Sequence, residues 1–144
     1  MRSRRAFDVR PGGRRPHCDR VKVALIAETF LPHMNGVVGS ILHVIAHLRE
    51  RGHEVVVVAP RHETEPDPAA LSGASLILLP SAALPGYPEL RLAVTTVPRM
   101  VNTLRDIAPD VVHLASPFLL GWQAVRAAEH LGIPAVAVYQ TDVP

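Results

Sequence analysis

A glycine placed where a strand gives way to a helix leaves backbone N–H groups open to an anion, with the helix dipole assisting. Gly36 stands at such a junction, directly after Asn35. The segment Asn35-Gly36-Val37-Val38-Gly39 lacks the three-glycine spacing of a dinucleotide fingerprint, and Pro60-Arg61 stands where an acid would hold a ribose hydroxyl. Nicotinamide dinucleotide binding is therefore disfavoured, and a plain tight turn is the alternative use of Gly36. His113 closes a later apolar run, where an imidazole could bond a ligand, although histidines so placed are more often structural. Asp110 reads as the start of that run, not as a catalytic acid. His43 and His47, four residues apart, could reach one metal ion. No glutamate of the zincin type and no third ligand accompany them, so they read as a solvated helix face and no metal is expected.

The elements that must position these residues follow from hydrophobic period. Residues 21–27 form a short apolar run rich in β-branched residues, as in a buried parallel strand. After a loop over residues 28–36, Val37, Ile41, Val44, Ile45 and Leu48 fall on one face of a helix that Gly52 ends. Residues 54–59 are a second buried strand, 61–73 a polar loop and 75–79 a third strand. Pro80, Pro85, Gly86 and Pro88 predict an irregular surface loop over residues 80–91. A helix over 97–107 carries Pro98 in its first turn, where a missing N–H does no harm. A fourth strand over 110–114, a helix over 119–131 ended by Gly132, and a fifth strand over 134–139 complete the pattern. This alternation predicts an α/β, Rossmann-like three-layer sandwich with a mostly parallel sheet. Ligands in such folds sit beyond the carboxyl ends of the strands, near the switch in strand order.

Composition supports one globular body. Of 144 residues, 48% are apolar and 19% charged, enough to bury a core without disulfides. No apolar run is long enough to span a bilayer. Cys18 is the single cysteine, which excludes an internal disulfide and suits a reducing cytoplasm. Residues 1–20 hold seven arginines against two aspartates, whereas residues 21–144 hold eight Lys or Arg against eleven Asp or Glu. The net charge of +2 therefore comes from the tail. The tail has neither an apolar signal core nor interleaved aromatics, so it reads as a disordered extension and not as a nucleic-acid site. Residues 21–144 read as the domain.

Residues 22–32 (KVALIAETFLP), followed by Asn35-Gly36-Val37, resemble the opening of the family 4 retaining glycosyltransferases. Arg51-Gly52-His53-Glu54-Val55 with Ala59-Pro60, residues 109–117 (PDVVHLASP) and residues 139–144 (YQTDVP) are similar to later segments of the same family. The likeness is nearest to GDP-mannose-dependent α-mannosyltransferases, with sulfoquinovosyl-diacylglycerol synthases as neighbours. It implies the amino-terminal, acceptor-side half of a two-domain GT-B fold whose other half holds most of the nucleotide-sugar. By resemblance, Glu28, Asn35, Gly36, Gln140 and Thr141 bind substrate, and His113 and Asp142 approach the reacting centre. Many members carry a histidine where Gln140 stands; a neutral amide can position a sugar hydroxyl but cannot act as a general base.

The resemblance implies transfer of a hexose, mannose foremost, to a glycolipid or glycan acceptor. It implies no cofactor beyond a nucleotide-sugar substrate, GDP-mannose foremost. The expected setting is the cytoplasm, at the inner face of the plasma membrane if the acceptor is a lipid, with peripheral membrane contact. Without the donor-binding half, the chain alone is expected to be inactive and to self-associate through its uncovered last strand. The competing reading is a non-catalytic carbohydrate- or anion-binding module of the same fold.

Overall fold

A computed structural model describes residues 20–31, 36–115 and 118–137, with residues 88–90 described by their backbone alone. The chain runs β1 (Lys22–Ile26), α1 (Gly36–Glu50), β2 (Glu54–Pro60), a 3₁₀ turn (Pro68–Leu71), β3 (Ser75–Leu79), β4 (Ser81–Leu84) and β5 (Tyr87–Ala93). It continues through α2 (Val97–Ile107), β6 (Val111–Leu114), α3 (Leu119–Leu131) and β7 (Ala135–Ala137). Five strands form one parallel sheet in the order β3-β2-β1-β6-β7. The strand order reverses between β1 and β6, which makes the crevice beyond their carboxyl ends the expected ligand position.

Both faces of the sheet are covered, which explains why β1 and β2 are apolar at consecutive positions instead of alternating. Ala24, Ile26, Val56, Val58, Val112 and Leu114 pack with Met100, Leu104, Ala124 and Ala127 of α2 and α3. The intervening Leu25, Ala27, Val55, Val57 and Ala59 pack with Val38, Ile41 and Ile45 of α1 and with Phe30. Fully buried Phe30 and the Ala27 N–H bond to Val58 O (2.9 Å) anchor the start of the loop after β1. At the opposite end of the sheet, Asp110 accepts from the Lys22 N–H at 2.8 Å and donates its own N–H to Lys22 O at 2.8 Å. That reciprocal pair fixes β1 against β6, so Asp110 starts its strand as expected.

Helix ends follow their local chemistry. The Thr96 side chain caps α2, with Pro98 in the first turn, and Gly132 at φ 70 closes α3. Ala108 closes α2 at φ 52, a left-handed conformation that costs a residue with a Cβ about 1–2 kcal/mol.

Two elements differ from the sequence reading. Residues 80–91 are not irregular: β4 and β5 form an antiparallel hairpin. Pro85 and Gly86 lie at its tip with Gly86 at φ 82, the turn that a Pro-Gly pair favours, and a register shift at Ala83/Leu84 absorbs the irregularity. The polar stretch after β2 contains the short 3₁₀ turn, capped by the Asp67 side chain. The fifth strand is described over Ala135–Ala137 and is exposed, in keeping with the expected uncovered last strand. Residues 1–19, which include most of the basic tail, lie outside the described residues.

Candidate functional site

In a parallel sheet the chain leaves each strand at its carboxyl end, so α1 and α3 both begin at the β1/β6 crevice. Gly36 is the first residue of α1 and is exposed. A Cβ added there, or at Gly39 one turn on, would meet no atom of the described residues within 4 Å, so their packing does not call for glycine at 36. The 15-residue helix has no acid in its first turn.

Glu28, two residues beyond β1, reaches across the crevice to the other helix. Its Oε2 accepts the Phe118 N–H at 2.9 Å and its Oε1 accepts the Leu120 N–H at 2.6 Å, some ninety residues away in sequence. Burial pushes its carboxyl above the ordinary glutamate value, and hydrogen bonds from the Leu120, Phe118 and Gly121 N–H groups pull it back in part. Phe118 offers no capping side chain, so this remote carboxylate does the work of a capping residue.

His113 is paired in register with Leu25 on one side and Val136 on the other, one residue short of the end of β6. Its neighbours Val112 and Leu114 point into the α2/α3 core, so the imidazole faces the α1 side. Burial lowers its pKa below the ordinary histidine value. The ring is therefore neutral at pH 7, able to donate from one nitrogen and accept at the other. Among the described residues, no group of three His, Cys, Asp or Glu side chains is placed to hold a metal ion. His43 and His47 are both exposed on α1.

Thus Glu28, Gly36 and His113 belong to the elements that bound one crevice. Asn35, Gln140, Thr141 and Asp142 lie outside the described residues. Two features were not expected from the sequence. One is the engagement of the α3 N–H groups by Glu28. The other is an exposed apolar first turn on α3, where Phe118, Leu119 and Trp122 are 56–66% exposed and the Arg126 guanidinium lies 5.9 Å from the Trp122 ring centre. The spacing of Phe118, Leu119 and Trp122 places them around one helix turn, but no local signal says that they point outward.

Sheet order and crevice together define a Rossmann-like α/β domain with a switch point between β1 and β6. Its residues 34–144 match Glycosyltransferase Family 4, and the chain belongs to that family. A GDP-mannose-dependent alpha-mannosyltransferase of Mycolicibacterium smegmatis is 50% identical over 125 residues, covering 85% of this chain and 33% of that protein. A sulfoquinovosyl transferase of Arabidopsis thaliana is 32% identical over 124 residues, covering 85% of this chain and 24% of that protein. In fold, the chain resembles MurG of Acinetobacter baumannii, with a TM-score of 0.56 at 18% identity over 81% of this chain and 34% of that one. The chain spans about a third of the length of the mannosyltransferases it matches. The family and the Rossmann-like parallel sheet expected from the sequence are the ones found.

Proposed function

We propose that this chain forms the acceptor-side wall of the transfer cleft in a mannosyltransferase that uses GDP-mannose as donor and a glycolipid or glycan as acceptor. The observation that carries the reading is the placement of Gly36, the first residue of α1, at the switch point between β1 and β6, with His113 on the adjacent strand. Identity to GDP-mannose-dependent enzymes at 42–50% supports the choice of donor.

In this reading the α1 N–H groups stabilise charge on the donor's phosphates as the sugar leaves. His113, neutral and turned toward the α1 side, orients a sugar hydroxyl and holds its proton in place. The family resemblance assigns substrate binding to Asn35, Gln140 and Thr141 as well, and a role at the reacting centre to Asp142. Transfer also draws on donor-binding residues from the remaining two thirds of a full-length enzyme.

The enzyme works in the cytoplasm against the inner face of the membrane. No described helix is long and apolar enough to cross a bilayer. The exposed Phe118, Leu119 and Trp122 turn supports peripheral contact, since aromatic side chains favour the interface between lipid and water. The exposed β7 edge supports self-association of the isolated chain.

The reading is tested by titrating ¹⁵N-labelled chain with GDP-mannose and following amide resonances. Shifts centred on residues 36–39 are expected. Shifts confined to the outer faces of α2 and α3, or none at millimolar ligand, would remove the basis of the proposal.

A further inference from the structure

Pro60 ends β2 at the carboxyl edge of the parallel sheet, one strand from β1, and Arg61 follows it there. Doubly wound folds use this position to read a ligand: an acid takes a ribose hydroxyl, an arginine takes a phosphate. The main chain of Arg61 is held at both ends. Its N–H donates to Leu79 O at 2.9 Å, and its carbonyl accepts the Ser81 hydroxyl. A second arginine converges on the same serine from β5. Arg91 Nε donates to Ser81 Oγ at 3.1 Å, and its Nη2 donates to Ser81 O at 3.3 Å. Arg91 is half-buried and Arg61 exposed. Both acceptors of Arg91 are neutral. Neither guanidinium meets a carboxylate among the described residues, whose ion pairs join Lys22 to Glu54 and Arg126 to Glu129. A cation drawn partly out of water ordinarily has a counter-charge beside it.

We propose that Arg61 and Arg91, joined through Ser81 at the root of the hairpin, form an oxyanion-binding site for a phosphate or carboxylate group of a substrate held in the β1/β6 crevice. The proposal rests on the crevice being the substrate site and not on which donor enters it. Neighbouring strands lie about 4.8 Å apart, so the end of β2 stands about 10 Å from that of β6. A sugar with a charged substituent spans that distance. A guanidinium offers parallel N–H bonds to such a group, and Ser81 fixes the Arg91 fork before any ligand arrives. Glu63 and Glu65 are exposed in the loop beyond Arg61, so selectivity comes from fixed donors and not from a diffuse positive field.

The test titrates inorganic phosphate into the ¹⁵N-labelled chain and reads the arginine side-chain Nε–Hε resonances. Arg61 and Arg91 are expected to shift in a saturable manner, whereas Arg99 and Arg105, exposed on α2, drift without saturation. Arg91→Gln should weaken the binding read at Arg61 about tenfold, as the loss of one charge-assisted bond implies. Should that variant disturb the hairpin, Arg61→Gln alters an exposed side chain only and carries the same expectation, read at Arg91. Uniform drift at all four arginines would overturn the proposal, as would an affinity at Arg91 unchanged by Arg61→Gln. GDP-mannose as a second titrant identifies the source of the oxyanion. Saturable shifts at Arg61 and Arg91 assign it to the donor's diphosphate; their absence beside a positive phosphate response assigns it to the acceptor. Shifts at residues 36–39 report on the proposed function and are scored separately, so the two ideas fail independently.

Discussion

Replacing Gly36 by alanine separates a ligand-admitting glycine from a structurally required one. Gly36 is the first residue of α1, and a Cβ there would meet no atom of the described residues within 4 Å. The substitution therefore introduces no clash with the described residues and removes backbone freedom from the unfolded chain, a gain of about 0.4–1 kcal/mol. For a domain of this size that corresponds to an increase of roughly 1–5 °C in Tm. The same methyl group occupies the space through which a phosphate oxygen would approach the N–H groups of α1. Loss of one charge-assisted hydrogen bond costs roughly 1.5–3 kcal/mol, or about a 10- to 150-fold loss of donor affinity. Thermal unfolding followed by circular dichroism gives the first quantity, and calorimetric titration with GDP-mannose of an enzyme that includes this domain gives the second. A variant more than about 1 kcal/mol less stable than wild type would show that the glycine serves the turn. Unchanged affinity would show that no ligand passes there.

The titrations of Glu28 and His113 give opposite pH signatures. Glu28 has its folded pKa raised, so its contribution to stability is present below the ordinary value of 4.5 and lost as pH rises through the raised value. Glu28→Gln should flatten that fall in denaturant-unfolding free energies measured across the acid range. His113 has its folded pKa lowered, so its contribution is present above the ordinary 6.5 and lost as pH falls through the lowered value; His113→Gln should remove that loss. Ala108→Gly relieves a left-handed residue at φ 52 and should stabilise the domain by about 1 kcal/mol, read as a higher midpoint in urea. Exchanging the exposed Phe118 and Trp122 for serine should leave Tm within about 2 °C and abolish co-flotation with anionic vesicles. Unchanged flotation would place the membrane contact elsewhere.

The layered fold is legible in the sequence wherever local chemistry and burial agree. Residues 54–59 are apolar without interruption because both faces of β2 are covered, and Pro98 and Gly132 mark the ends of α2 and α3 by the backbone geometry they favour. The hairpin β4–β5 was hidden because its prolines argue against strands one by one. Only the paired strands show that Pro85-Gly86 is a turn and that a bulge accommodates the rest. The exposure of β7 concerns covering elements and leaves no trace in an apolar run.

At the site, Gly36 and His113 are visible as residue types at strand–helix junctions, and Glu28 is singled out by the family resemblance. Its partners are not. A bond spanning some ninety residues has no local signature, so the sequence gives no reason to prefer the α3 N–H groups over a sugar. The burial that lowers the His113 pKa likewise comes from the fold and not from its neighbours in the chain.

The central claim is that residues 21–144 form one working wall of a mannosyl-transfer cleft. Grafting them in place of the matched segment of the Mycolicibacterium smegmatis mannosyltransferase, 50% identical over 125 residues, tests it directly. The graft should consume GDP-mannose in an acceptor-dependent manner, with Gly36→Val abolishing turnover while the protein stays folded. A folded graft that releases no GDP in the presence of acceptor, or one indifferent to Gly36→Val, would contradict it.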